Sequence, residues 1–214
     1  PLLDYEAIRR NPKIVCSYSD GTTLLNAVAH KSGLVTFYGQ SPRTFMALTE
    51  YNRECFASMF MEERRLPGSR PGENWRILRE GTAAGRWMGG YLGNLALMAG
   101  GPYFPIPDEP ILLFLEDHES FSSPAAVAKY TAHLEQSGLF RRVKGLLWGF
   151  YSEERYPAVE GILFRLGERY GIPVACCGDF GHGERNAVMP IGLPGELRAE
   201  KQGACEIRWE VEQL

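Results

Sequence analysis

Three side chains of complementary chemistry occur along this chain in the order serine, carboxylate, histidine. Ser19 lies in Lys13-Ile14-Val15-Cys16-Ser17-Tyr18-Ser19-Asp20-Gly21, which reads as a strand, a tight turn and the start of a helix. Such a turn lifts a hydroxyl to the top of a sheet, and Ser17-x-Ser19-x-Gly21 is close to the G-x-S-x-G elbow, with serine in place of the first glycine. A serine hydroxyl is a weak nucleophile until a base takes its proton, and that base needs an acid to orient it. Glu116 and Asp117 close the apolar run Ile111-Leu112-Leu113-Phe114-Leu115 and are the acid candidates. His182, between two glycines in Phe180-Gly181-His182-Gly183, is the base candidate, with His118 as its rival. The backbone N–H of Asp20, at the helix start, is a natural donor to a developing oxyanion. This is the pattern of a serine hydrolase. Each part also has a plainer reading: serine before a helix is commonly a cap, and paired carboxylates commonly solvate a loop. Spacing leaves the choice between Glu116 and Asp117 open.

The elements that must position these groups are readable from periodicity and punctuation. Residues 14–18 form a strand candidate, Asp20 a cap for the next helix, Leu24, Leu25 and Val28 its apolar face, and Gly33 its stop. Residues 34–38 make the following strand, so this is a β-α-β unit with a parallel pair and a right-handed crossover. A helix is expected over 44–61. The segment 66–72, Leu-Pro-Gly-Ser-Arg-Pro-Gly, is the best linker candidate. Beyond it come a buried-type strand at 111–115 and a helix over 124–136, with Ser123 as N-cap, Pro124 in the first turn and Gly138 as stop. A strand at 143–150, a helix at 158–170, a strand at 173–177 and a hairpin from 196–200 and 205–211 complete the pattern. The expected fold is α/β, in two units, 1–70 and 71–214. Gly81, Gly85, Gly89, Gly90, Gly93, Gly100 and Gly101 form a glycine-dense stretch without the G-x-x-x-x-G-K-[ST] pattern of a phosphate cradle. It is read as close backbone packing or a substrate-facing loop. Gly89 and Gly90 are candidate substrate-binding backbone, and Trp75 and Trp87 can stack on a substrate or fill a core.

Bulk properties exclude other classes. The 214 residues carry a formal charge of −3, with 44% hydrophobic and 23% charged residues, an ordinary composition for a globular protein. Nothing in that charge balance calls for nucleic acid. No apolar run approaches the roughly 20 residues of a membrane span, and the start lacks a signal-peptide pattern. Five cysteines without C-x-x-C spacing suit reduced thiols in a cytoplasmic protein. Four scattered histidines, none in H-x-x-x-H, argue against a metal, and no cofactor is expected.

Five blocks occur in one order: Tyr18-Ser19-Asp20 with Leu24-Leu25-Asn26; Gly85-Arg86 with Gly89-Gly90 and Asn94-Leu95; Pro102-Tyr103-Phe104-Pro105; Phe114-Leu115-Glu116-Asp117; and Phe180-Gly181-His182-Gly183 with Pro190-Ile191-Gly192. Together they resemble the serine LD-carboxypeptidase family, which includes the microcin C immunity peptidases. The resemblance implies Ser19 as nucleophile, Glu116 as acid and His182 as base. It also implies a Rossmann-like N-terminal domain bearing the serine and a C-terminal α/β domain bearing the other two. The implied substrate is a small peptide, a murein tetrapeptide cut before its terminal D-alanine or a toxic peptidyl-nucleotide, and the implied assembly a cytoplasmic homodimer. The family has glycine at the place of Ser17 and further α/β units, with a glycine-rich turn, ahead of the place of Pro1. The expectation that follows is of a missing upstream part of the nucleophile domain, and of a 214-residue chain unstable or inactive by itself. An α/β-hydrolase esterase, with the same order of serine, acid and histidine, and an inactive peptide-binding protein or fragment are the competing readings.

Overall fold

The unbroken apolar run before Glu116 requires burial on both faces of a strand, and the rest of the fold supplies it. The protein is described here from a computed structural model covering residues 2–42, 44–61, 75–118, 123–151, 156–200 and 206–209. The proposed linker at 66–72, the boundary at residue 70 and Cys205 lie outside the described residues. In chain order the elements are α1 (Tyr5–Arg10), β1 (Cys16–Ser17), α2 (Gly21–Ser32), β2 (Thr36–Tyr38), α3 (Glu50–Phe60), β3 (Trp75–Arg79), β4 (Gly81–Tyr91), α4 (Leu92–Met98), β5 (Ile111–Glu116), α5 (Pro124–Gln136), β6 (Val143–Gly149), α6 (Pro157–Tyr170), β7 (Val174–Cys177), β8 (Met189–Ile191), β9 (Pro194–Ala199) and β10 (Glu206–Trp209).

Two sheets result. The larger runs β10-β9-β4-β5-β6-β7-β3, with β4 to β7 parallel and β5 at its centre. The smaller runs β1-β2-β8: β1 and β2 are the expected parallel pair, and β8 joins antiparallel, with Tyr38 opposite Met189. Period-two alternation along β5 divides the core. Ile111, Leu113 and Leu115 pack with Leu92 and Leu95 of α4, Val127 and Leu134 of α5 and Leu163 of α6. Leu112 and Phe114 face the other way, toward Leu25 of α2, Tyr38 of β2 and Ile191 of β8. The small sheet and its helix therefore cover one face of the large sheet.

Several expectations are refined. The 44–61 helix is interrupted: a 3₁₀ turn at Thr44–Ala47 is followed by a fresh start, because the Thr49 hydroxyl accepts from Asn52 N–H at 3.2 Å and caps α3. On α2, Leu25 and Val28 are buried as expected, whereas Leu24 is 42% exposed. Asp20 holds the N-cap position of α2 but is itself in the helical region (φ −56°, ψ −24°) and makes no side-chain cap bond. Of the glycine-dense stretch, Gly81, Gly85, Gly89 and Gly90 lie in β4, the longest strand among the described residues, Gly93 lies in α4, and Gly100 and Gly101 follow that helix. A side chain at Gly89 would place its Cβ 1.8 Å from the Phe114 carbonyl oxygen, and one at Gly90 2.5 Å from the Thr22 hydroxyl. These glycines let β4 lie against β5 and α2 at van der Waals distance.

Candidate active site

The site forms where the carboxyl ends of the parallel strands meet the small sheet, the general position of functional groups in such sheets. Ser19 occupies the turn between β1 and α2 with φ 57°, the one non-glycine residue with positive φ among the described residues. Both of its backbone groups are held. Its N–H donates to the Tyr38 hydroxyl at 2.9 Å, and its carbonyl accepts from the N–H and hydroxyl of Thr22 at 2.9 and 2.7 Å. Glu116 ends β5 at 1% exposure, on the Leu112–Phe114 side of the strand and so facing the small sheet. His182 lies on the loop from β7 to β8 and bridges the two. Its Nε2 is 2.9 Å from Ser19 Oγ, and its Nδ1 is 2.8 Å from Glu116 Oε2. With the ring proton on Nδ1, Nε2 is free to accept from the serine hydroxyl. The arrangement can move a proton from Ser19 to His182 while Glu116 stabilises the imidazolium.

The loop is fitted closely around the carboxylate. Gly181 has φ 100°, and a Cβ there would lie 2.7 Å from Glu116 Oε2. Asn52 of α3 donates to Glu184 O at 3.0 Å and accepts from Asn186 N–H at 2.6 Å, and Gln40 donates to Asn186 O at 2.7 Å. Phe180 packs edge-on against Phe114, with centroids 5.8 Å apart. Around the imidazole stand Tyr18, Tyr91 and His118, with ring centroids 5.2, 5.2 and 5.3 Å away. A cleft of about 500 Å³ opens over His182, lined among others by Tyr18, Asn52, His118 and Tyr151.

The other sequence candidates separate. Asp20 N–H, next to Ser19, has no acceptor among the described residues, while the N–H groups on either side of it are bonded to Tyr38 and Tyr18. Trp87 is fully buried, with its indole N–H given to Arg208 O at 2.9 Å, so it is a core residue and not a stacking platform. Trp75 does not line the cleft; it donates to Asp179 Oδ2 at 2.7 Å and anchors the start of the histidine loop. Gly89 and Gly90 contact the protein interior, and the Gly89 carbonyl accepts from Asn26 at 2.9 Å. Asp117 falls on the opposite side of β5 from Glu116. Burial pushes its carboxyl above the ordinary range, against the hydrogen bonds from Tyr91 and the His118 N–H. Tyr38 is the main residue that sequence reading passes over. Its signal is its place at the carboxyl end of a parallel strand. Four described cysteines are free thiols, and burial pushes those of Cys16, Cys55 and Cys176 up to about 12, 11 and 12, which leaves them protonated at neutral pH. Among the described residues no cluster of three metal-ligating side chains occurs, and no helix is long and apolar enough to cross a membrane.

Residues 1–39 match the model of the LD-carboxypeptidase N-terminal domain, and residues 84–197 that of the LD-carboxypeptidase C-terminal domain. The chain belongs to the LD-carboxypeptidase family. Among its relatives, YocD of Bacillus subtilis, which carries the name of a carboxypeptidase, is 32% identical over 235 residues, covering 97% of this chain and 70% of YocD. The microcin C7 self-immunity protein MccF of Escherichia coli is 29% identical over 227 residues, covering 90% of this chain and 65% of MccF. Among solved structures, an MccF-like protein from Bacillus anthracis superposes with a TM-score of 0.84 at 27% identity, over 98% of this chain and 71% of the other. The muramoyltetrapeptide carboxypeptidase of Oxalobacter formigenes gives 0.75 at 26% identity, over 96% and 70%. This LD-carboxypeptidase relative is thus a hydrolase of the serine carboxypeptidase type by kinship.

Proposed function

We propose that this chain is a serine peptidase that releases the terminal D-alanine from L,D-linked murein tetrapeptides through an acyl-enzyme. What supports the reading is the hydrogen-bonded series Ser19 Oγ, His182 and Glu116, at 2.9 and 2.8 Å. In this mechanism His182 Nε2 takes the Ser19 proton as Oγ attacks the carbonyl carbon of the L-centre. The resulting oxyanion takes a hydrogen bond from Asp20 N–H, the unpaired donor beside the nucleophile. Collapse breaks the C–N bond, and the imidazolium returns the proton to the departing amine of D-alanine. Water, deprotonated by His182, then hydrolyses the serine ester. Glu116 accepts from His182 Nδ1 and holds the ring. The proposal includes a small peptide as the only ligand class, and a cytoplasmic homodimer as the working form.

A second reading has its own support: the fold overlaps an MccF-like protein at a TM-score of 0.84, and MccF itself is a self-immunity protein against microcin C7. On that reading the same series cleaves a peptidyl-nucleotide. One experiment tests both. The protein expressed from its own gene is incubated separately with an L,D-tetrapeptide and an aminoacyl-sulfamoyl nucleotide, and D-alanine and free amino acid are followed. Release of D-alanine, lost by at least about 10⁴-fold in Ser19→Ala with binding retained, is the expected result. Turnover of the nucleotide alone moves the chain to the immunity reading, and an undiminished Ser19→Ala variant refutes the nucleophile.

A further inference from the structure

Ser19 is held at φ 57°, a conformation that is strained for a non-glycine residue and persists only where the surroundings fix it. The means of fixing it are specific. Thr22 grips the Ser19 carbonyl at 2.7 Å and accepts from Tyr91 N–H, at the end of β4, at 2.8 Å. The Ser19 N–H goes to the hydroxyl of Tyr38 at 2.9 Å, and the same hydroxyl reaches Glu116 Oε1. A phenol has one proton to donate. A carboxylate cannot donate and a backbone N–H cannot accept, so the proton is directed to Glu116 and a lone pair to Ser19.

We propose that Tyr38 is a positioning residue that locks the strained serine turn and the buried carboxylate into one register through a single hydroxyl. The inference rests on the reading of Ser19, His182 and Glu116 as the reacting series. Three consequences follow from the geometry. Ser19 N–H is occupied, which leaves Asp20 N–H as the donor for an oxyanion. Glu116 is turned so that Oε2, and not Oε1, meets His182 Nδ1. Loss of the hydroxyl strands two groups at once, the part-buried Ser19 N–H and the Glu116 carboxylate, which is nearly fully buried. Burial, followed by the neighbouring Glu116 charge, holds the Tyr38 phenol well above its ordinary value, so it remains a donor across the working pH range. The titratable groups around Glu116 are Tyr38 from β2, His182 from the loop, Tyr91 from β4 and Asp117 beside it; His118 adjoins His182.

The test compares wild type with Tyr38→Phe. Two readouts are used: the rate at which a fluorophosphonate labels Ser19 as a function of pH, and kcat and KM on the tetrapeptide. Labelling and kcat are expected to fall about 10- to 100-fold, the scale of a small misplacement of reacting groups, with KM unchanged. The acid limb of the labelling profile is expected to move to higher pH, because a carboxylate without its donor stabilises the His182 proton more strongly. Site-specific 3-fluorotyrosine at position 38 keeps the shape and strengthens the donor, and is expected to move that limb to lower pH. A folded Tyr38→Phe protein with wild-type labelling rate and limb overturns the proposal. If Tyr38→Phe does not fold, an unmoved limb in the fluorotyrosine protein overturns it. A wild-type Ser19 that labels while the tetrapeptide stays intact refutes the substrate reading alone, and one that does not label refutes both.

Discussion

The two sheets are stabilised in different ways. The strands of the large sheet run to 11 residues in β4 and 7 in β6, and β5 is buried on both faces by side chains from three helices and from the small sheet. The strands of the small sheet have two, three and three residues. Ladder hydrogen bonds in so short a sheet do little to fix its place on the larger one. That placement rests on the buried apolar contacts of Leu25, Tyr38 and Ile191 with Leu112 and Phe114, and its register on single polar bonds across the seam: Asn26 to the Gly89 carbonyl, Tyr91 N–H to Thr22, Arg86 to the Gly192 carbonyl, and Tyr38 to Glu116. The nucleophile candidate sits on the small sheet, the acid on the large one, and the histidine on the loop that passes from one to the other. Large-sheet stability and site geometry are therefore separable, and substitutions can pull them apart.

The largest effect is expected inside the large sheet. Leu113 is fully buried at the centre of β5 among the helices, and Leu113→Ala removes its contacts and leaves a cavity. A loss of about 2–5 kcal/mol in urea unfolding is expected, with per-molecule turnover of the folded fraction unchanged. A loss below about 1 kcal/mol would show that this face is not the main core. At the seam the balance reverses. Asn26 is fully buried and donates to Thr22 O at 2.8 Å and to Gly89 O at 2.9 Å. Asn26→Ala leaves the Gly89 carbonyl buried without that donor, for about 1–3 kcal/mol. It also frees α2, and with it the serine turn, from β4. The expected result is a smaller stability loss than in Leu113→Ala together with a clear fall in kcat; unchanged kcat in the Asn26 variant would mean that the turn is held from elsewhere.

The same contrast explains what could be read from the chain. Large-sheet elements announce themselves locally. The helix over 124–136 has the same bounds in the structure, because Ser123 caps it, Pro124 suits its first turn and Gly138 takes φ 90° just beyond it. The apolar runs at β5 and β7 are as plain. β4 escapes because its glycines carry low strand propensity, and their reason lies in Phe114 and Thr22, which meet them only in the folded chain. Trp87 stays open between platform and core on the same account, since an aromatic beside glycines does not reveal which face it takes. Ser19 and His182 are legible by type and order, while the acid stays open between Glu116 and Asp117 until the family resemblance implies Glu116; the structure brings Ser19, His182 and Glu116 within hydrogen-bonding distance. Alternation along 111–117 shows that Glu116 and Asp117 point to opposite sides. Which side holds the site depends on where α2 and β2 pack, a long-range fact that no local spacing contains.

That pair of neighbouring carboxylates supplies the smallest and most selective test. Glu116 and Asp117 are both nearly buried, yet it is Glu116 that hydrogen-bonds the His182 imidazole. Asp117 accepts from Tyr91 and from the His118 N–H, and burial still leaves its folded pKa raised. The folded protein therefore holds the Asp117 proton more tightly than the unfolded chain does. The stabilisation this gives is fully present below the unfolded value of about 3.9 and is lost as the pH rises through the raised folded value. At neutral pH the ionised, desolvated group opposes folding. Asp117→Asn keeps an acceptor for both donors without the charge, so its Tm at pH 7 is expected to lie slightly above wild type, with the difference vanishing below about pH 4, the unfolded carboxyl value. kcat is expected to change far less than in Glu116→Gln, whose amide cannot stabilise the imidazolium. Paired melts across that pH range and one rate measurement decide it. A variant that melts lower at pH 7, or that loses turnover as Glu116→Gln does, would place Asp117 within the reacting series and erase the distinction between the two faces of β5.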